Sequence, residues 1–215
     1  MKIAVLGTGM VGQALATKLA ALGHDVMMGA RAPGNAKAAA WAAENAAQSG
    51  TFAEAAAHGE IVVMATLGAA TLEVAEAAGA LALAEKVVID VTNPLDMSAG
   101  FPPTLLPEYT NTHSLGEALQ AALPDARVVK ALNTMNCEIM VNPALVPGQH
   151  DVFLAGNDAD AKALVADLLN SFGWEDPVDL GGIEAARGTE GLMPFWLRMY
   201  GAVGSANFNY RIVRS

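Results

Sequence analysis

Between Lys2 and Gly12 the chain reads KIAVLGTGMVG. A strand-prone apolar run, Ile3-Ala4-Val5-Leu6, breaks off into Gly7-Thr8-Gly9-Met10-Val11-Gly12, after which apolar residues recur at helical spacing. Strand, tight glycine turn and helix are the opening of a dinucleotide-binding unit. In such a unit the first glycine permits the turn, the second lets a pyrophosphate approach the backbone, and the third lets the helix pack closely on the strand. The N-terminal N–H groups of that helix then face the phosphates. A glycine turn with no ligand has the same short pattern, so the flanking strand and helix carry the reading.

The first helix is expected over Met10 to Leu22, burying Val11, Leu15, Leu19 and Leu22 and stopping at Gly23. A second strand, Val26 to Met28, leads to Gly29-Ala30-Arg31. About 20 residues beyond the glycines an NAD site places an acid for the ribose hydroxyls, whereas an arginine suits a 2'-phosphate. Arg31 stands here, with no acid from Val26 to Ala43, so NADP is favoured over NAD. A guanidinium binds phosphate by paired, charge-assisted hydrogen bonds, and a carboxylate would repel it. Asn35 and Lys37 are further candidates for that phosphate, and an ordinary solvated charge is the alternative reading of Arg31.

Composition narrows the partners. The net charge of −10 opposes nucleic acid and anionic membrane surfaces. With 53% hydrophobic and 16% charged residues, the 215-residue chain suits a single α/β domain with a full core. The single cysteine, Cys137, rules out an internal disulfide and cysteine-rich metal sites. The N-terminal strand, broken by Gly7, Gly9 and Gly12, is not the extended apolar core of a signal peptide, no uninterrupted apolar segment approaches the length of a membrane span, and a cytoplasmic location is expected.

Further along, the alanine-rich stretch Asn35 to Ser49 reads as a helix closed by Gly50, and Thr51 with Glu54 has capping-box spacing for a short helix to His58. Ile61 to Ala65 reads as a strand buried on both faces, ending in Thr66-Leu67-Gly68. Val87 to Val91 is the next strand after a helix over Thr71 to Ala78, and ends in Thr92-Asn93-Pro94. Ligands of open parallel sheets lie at the carboxyl ends of strands, so Thr66 and Leu67 are candidate cofactor walls. Asn93, held out of helical conformation by Pro94, is either an amide contact or a turn former. A long irregular stretch, Asp96 to His113, has the length of loops that often serve as lids or substrate walls, and precedes a helix opened by Ser114 and Glu117.

Arg127 to Leu132 is a further strand, running into Asn133-Thr134-Met135. Lys130 invites an acid–base role, but a strand residue faces whichever side its neighbours leave open. Met135 suits an apolar platform or packing. Strands at Val152 to Ala155 and Pro177 to Leu180 bracket a helix over Ala159 to Phe172. Ile183 to Gly204 is helical and aromatic-rich, fit for core, dimer contact or a substrate pocket. The tail Asn207 to Arg214 alternates at period two, as a strand closing a sheet edge or pairing across a dimer would. The expected architecture is an α/β, Rossmann-type doubly wound, mostly parallel sheet with a small helical and strand extension. Residues 1–155 form the dinucleotide core and 156–215 a substrate wall and homodimer contact.

The N-terminal stretch KIAVLGTGMVGQALATKLAALGHDV, the Gly29-Ala30-Arg31 turn, VVKALNT at Val128 to Thr134 and FLAGND at Phe153 to Asp158 resemble the coenzyme F420-dependent NADP oxidoreductases. The reductase domains of membrane ferric reductases are similar too. The resemblance implies hydride exchange between NADPH and a 5-deazaflavin, which needs two stacked rings more than a protein acid or base. It also implies that Gly7, Thr8, Gly9, Met10, Val11 and Gly12 hold the pyrophosphate and ribose. Ala30, Arg31 and Asn35 fall at the 2'-phosphate, while Thr66, Leu67, Asn93, Asn133 and Thr134 border the nicotinamide. Pro94 and Met135 then border the second ring. Some deazaflavin-using members carry histidine where Asn133 stands here, which leaves a flavin, a quinone-like compound, or a small carbonyl or imine as other occupants. A hydroxy-acid or imine dehydrogenase and a non-catalytic NADP sensor are the rival readings. No metal and no catalytic side chain are expected.

Overall fold

The computed structural model describes residues 1–98 and 100–213, so Arg214 of the expected tail strand lies outside the described residues. The first half of the sheet is built from β1 (Lys2–Leu6), α1 (Met10–Ala21), β2 (Asp25–Ala30), α2 (Ala36–Glu44) and β3 (Gln48–Thr51). Next come α3 (Phe52–His58), β4 (Ile61–Met64), α4 (Thr71–Ala78), α5 (Ala80–Leu83) and β5 (Val87–Asp90). A two-stranded hairpin, β6 (Leu95–Asp96) with β7 (Thr104–Leu105), precedes α6 (Leu115–Ala122), β8 (Arg127–Ala131) and α7 (Cys137–Val141). The last elements are β9 (Phe153–Gly156), α8 (Ala159–Phe172), β10 (Val178–Asp179), α9 (Ala186–Gly191) and α10 (Met193–Val203).

The main sheet has eight strands in the order β10-β9-β8-β5-β4-β1-β2-β3. All neighbours are parallel except β8 and β9. Leaving β1 the chain winds outward through β2 and β3, then returns to β4 on the other side. That reversal opens a crevice at the carboxyl ends of β1 and β4.

Strand periodicity sorts the core into two layers. Ile3, Val5, Val63, Ile89 and Val129 pack with Leu15, Leu19, Ile139, Val165 and Leu169 on the face carrying α1, α7 and α8. Ala4, Leu6, Val62, Met64, Val88 and Val128 pack with Phe52, Val74, Leu83 and Leu119 on the opposite face. Each fully buried aliphatic side chain contributes about 1.5–3 kcal/mol, so a sheet covered on both sides positions its strand ends rigidly. Asp90 and Lys130 continue the second layer, directly opposite one another across β5 and β8.

Three departures from the sequence expectation have local causes. The helix expected to Ser49 ends at Glu44, where Asn45 Nδ2 donates to the Trp41 carbonyl and Ala46 turns left-handed at φ 50°. The polar run Gln48–Thr51 then becomes the edge strand β3 because it pairs in register with Met27–Ala30. The stretch after Asp96 contains the hairpin and a 3-10 turn at Pro107–Tyr109.

The tail to residue 213 forms no strand. Its alternation serves packing: the Phe208 ring stacks on Trp196 at 5.3 Å and Tyr210 on Phe195 at 6.2 Å between centroids. Asp151, just before β9, ties it down: its N–H donates to the Tyr210 carbonyl at 2.8 Å, its carbonyl accepts from Asn209 Nδ2 at 3.0 Å, and its carboxylate accepts from Ile212 N–H.

Candidate functional site

The glycine turn divides its work among three positions. A Cβ on Gly7 would stand 2.2 Å from the Ala65 carbonyl oxygen, and its φ of +132° is one that side chains avoid. One on Gly12 would stand 2.2 Å from the Gly7 carbonyl oxygen, so the helix reaches the backbone at the strand end only because Gly12 lacks a side chain. At Gly9 a Cβ would meet nothing within 4 Å. Gly9 is also the N-cap of α1 and offers no side-chain cap, leaving the first-turn N–H groups facing open space. Gln13 Nε2 donates to the Thr8 carbonyl at 3.0 Å and steadies the turn.

From this turn a cleft of about 990 Å³ runs across the carboxyl ends of β2, β1, β4 and β5. Gly7, Thr8, Gly9, Met10 and Val11 line its floor; Ala30, Arg31, Asn35 and Lys37 line one end. Arg31 and Lys37 are exposed, and neither makes an ion pair among the described residues. Asn35 caps α2, its Oδ1 accepting from Lys37 and Ala38 N–H at 3.1 Å each, so its Nδ2 is the group that remains to donate outward.

The other end is apolar. Ala65, Val91, Leu106, Met135 and Met140 line it, with Thr66, Leu67, Thr92 and Asn93. Thr66 Oγ1 is buried there with no hydrogen-bond partner among the described residues, an orphan hydroxyl of the kind a bound group satisfies. Asn93 and Asn133 clasp each other: Asn93 Nδ2 donates to the Asn133 carbonyl at 2.8 Å, and Asn133 Nδ2 donates to Asn93 Oδ1 at 2.9 Å. Asp96 closes this end, its carboxyl held below the usual range by the Ser98 N–H it accepts.

Four expected positions stand behind the walls rather than on them. Gly12 is sealed beneath the turn, and Asn133 and Thr134 are 2% and 1% exposed. Strand β8 turns at Leu132, φ 62°, which carries Asn133 and Thr134 inward and delivers Met135 to the cleft. Pro94 is buried as well, its carbonyl accepting from Leu106 N–H at 2.8 Å and so joining the hairpin to the wall. The lining stops at Met140, so the C-terminal segment adds no described residue to it.

One wall-forming residue went unread in the sequence. Gly68 lets the loops after β4 and β5 touch, since a Cβ there would stand 1.9 Å from the Asn93 carbonyl oxygen. A glycine following a buried strand end is its visible signal. Asp96, Met97 and Leu106, from the stretch expected as a lid or substrate wall, line the cleft together with Leu95.

Lys130 is wholly buried between Asp90 Oδ2 at 3.0 Å and Glu190 Oε1 at 2.8 Å, away from the cleft lining. Burial alone would lower its pKa, but the two carboxylates more than offset this and hold the ammonium above its ordinary value. A second hollow of about 790 Å³ lies by His150, Asp151, Trp174 and Arg211. Its side chains already engage each other: His150 sits edge-on to Trp174 and Arg211 pairs with Asp151 at 3.5 Å. Among the described residues no cluster of His, Cys, Asp and Glu could hold a metal ion, and no helix is long and apolar enough to cross a membrane.

Comparison with known proteins gives a consistent picture. Residues 2–94 match the family model described as NADP oxidoreductase coenzyme F420-dependent. The F420-dependent NADP reductase of Methanocaldococcus jannaschii is 31% identical over 90% of each chain. The rat metalloreductase STEAP3 is 28% identical over 91% of this chain, which spans 38% of that longer protein. A crystal structure from Arthrobacter sp. FB24, provisionally described as an F420-dependent NADP reductase, is 51% identical with a TM-score of 0.95 over the whole of both chains.

Proposed function

The chain belongs to the coenzyme F420-dependent NADP oxidoreductase family, and on that premise we propose that the cleft holds NADP(H) for direct hydride exchange with a ring acceptor, a deazaflavin or flavin. One observation carries the reading. A single cleft joins a cationic end at Arg31 and Lys37, an open glycine turn, and an apolar end with an orphan Thr66 hydroxyl. A dinucleotide has the same sequence of chemistry: phosphate on the ribose, pyrophosphate, then a flat ring.

The first-turn N–H groups of α1, with Gly7 to Val11, bind the pyrophosphate. Arg31 takes the 2'-phosphate, with Asn35 Nδ2 and Lys37 beside it. Thr66 and the Asn93 amide orient the nicotinamide; the clasp with Asn133 engages both Asn93 Nδ2 and Oδ1 and so fixes the plane of that amide, leaving one N–H and one lone pair to offer. Bound NADPH supplies the hydride from its nicotinamide ring. Ala65, Val91, Met135 and Met140 exclude water and keep two rings in contact, which matters more for this transfer than a protein acid. No proton has to move at Lys130.

The exposed Phe195, Tyr200 and Val203 on α10 support a homodimer in solution, and a cytoplasmic location accords with the single cysteine. The test is to titrate the protein with NADPH and NADH, then offer F420, FMN, FAD, ferric chelates and small carbonyls to the reduced complex. NADPH oxidation with a ring acceptor is expected. Turnover with small carbonyls alone would transfer the site to the dehydrogenase reading, and no oxidation with any acceptor would remove the enzyme reading.

A further inference from the structure

No described residue of the C-terminal segment lines the cleft, yet one of its carboxylates reaches the cleft wall through the interior. Glu190, at the end of α9, is 1% exposed. Its Oε2 accepts from Leu115 N–H at 2.9 Å and its Oε1 from Gly116 N–H at 3.0 Å, at the first turn of α6. The same Oε1 lies 2.8 Å from Lys130 Nζ. Lys130 in turn donates to Asp90 Oδ2 at 3.0 Å and to the Thr92 carbonyl at 2.6 Å. Asp90 Oδ1 accepts both the Thr92 N–H, at 2.9 Å, and the Thr92 hydroxyl, at 2.7 Å.

Every polar atom of Thr92 is therefore held by this chain of charges, and the next residue is Asn93. Three buried charges are a costly way to fill space, because apolar side chains of similar volume stabilise a core as well or better. What an apolar trio could not supply is direction for the Thr92 backbone.

We propose that Glu190, Lys130 and Asp90 form a positioning chain by which the C-terminal segment sets the Thr92–Asn93 wall against the nicotinamide. The link to turnover rests on reading the cleft as the NADP(H) site. The geometric link from Glu190 to Thr92 does not. Glu190 touches no reacting group and acts through Lys130, Asp90 and Thr92.

Glu190→Gln tests it, since the side chain keeps its shape and loses the charge that holds Lys130. Amide hydrogen exchange at Thr92 and Asn93 is expected to quicken about tenfold, while the Gly7 to Val11 segment keeps its wild-type rate. With NADPH and a ring acceptor, kcat should fall about tenfold with KM for NADPH within about threefold, because ring alignment is lost and phosphate binding is not. Glu190→Asp keeps the charge on a shorter arm and should recover part of kcat; it serves by the same readouts if the Gln variant does not fold. Leu169→Ala, on the opposite sheet face, should lower thermal stability without touching kcat or exchange at Thr92.

Wild-type exchange at Thr92 and Asn93 in a folded Glu190→Gln protein would overturn the proposal. So would exchange that quickens uniformly along the chain, the mark of a merely structural role. If wild-type protein binds no NADPH but the Gln variant still frees Thr92 selectively, the ligand reading fails and the positioning chain stands.

Discussion

The two ends of the cleft solve different problems with different materials. At the β2 end, Arg31 and Lys37 stand in solvent on a loop and a helix start with the partly buried Asn35 beside them, and what that end offers is charge. At the β5 end, Thr92, Asn93 and Asn133 are locked by hydrogen bonds at the strand ends, Thr134 is buried behind them, and what faces the cleft is mostly apolar. On the proposed reading, charge at the first end selects which nucleotide is held, and rigidity at the second decides whether a ring held there can react. The glycine turn between them belongs to both, since it must be closed against the sheet and open to the ligand.

The largest expected effect comes from breaking the turn itself. Gly7→Ala forces a methyl against the Ala65 backbone at a positive φ and should cost about 3 kcal/mol or more. For a chain of this size that is roughly 10 °C in thermal midpoint, with NADPH binding lost as well. Gly9→Ala separates the two duties: its methyl meets no protein atom, so the fold should melt as wild type while NADPH binding collapses in the same titration.

Next in size is the charged end. Arg31→Ala should weaken NADPH binding by about 10- to 100-fold, the value of a hydrogen-bonded charge at about 1.5–3 kcal/mol, and leave NADH within about twofold. Equal losses for both nucleotides in calorimetry would free Arg31 from the 2'-phosphate and erase the contrast between the ends.

At the rigid end, Thr66→Val should weaken NADPH binding about fivefold, near 1 kcal/mol, and leave thermal stability unchanged or slightly raised, because a buried hydroxyl without a partner is removed. A stability loss instead would mean that Thr66 serves the fold. The smallest effect lies outside the cleft, where Arg187 donates to Glu117 at 2.8 Å and holds its carboxyl below the ordinary range. A depressed carboxyl adds stability above its unfolded pKa and loses it as pH falls. The gap in melting temperature between wild type and Arg187→Ala should therefore narrow on acidification.

How much could be read from the residues alone also differs between the ends. The glycine turn, Arg31 and the missing acid are local patterns, and so are the Thr51–Glu54 capping box and the bounds of α4 and α8, which the structure repeats. The edge strand β3 could not be seen in the polar residues Gln48–Thr51, because pairing with β2 creates it. Asn133 and Thr134 read as wall residues because they follow a strand end; the left-handed turn at Leu132 that buries them has no composition signature. Glu190 carries no local signal of its role, since its partners Lys130 and Leu115 come from distant parts of the chain.

The central claim is that the cleft brings a nicotinamide and a second ring into contact for direct hydride transfer. It is tested most directly with NADPH carrying deuterium at the reactive nicotinamide carbon, mixed anaerobically with the protein and oxidised F420, with the reduced product read by mass spectrometry. The account predicts that the deuterium is recovered on the deazaflavin, with none of it exchanged to water. Deuterium lost to solvent, or NADPH left unoxidised, would contradict it.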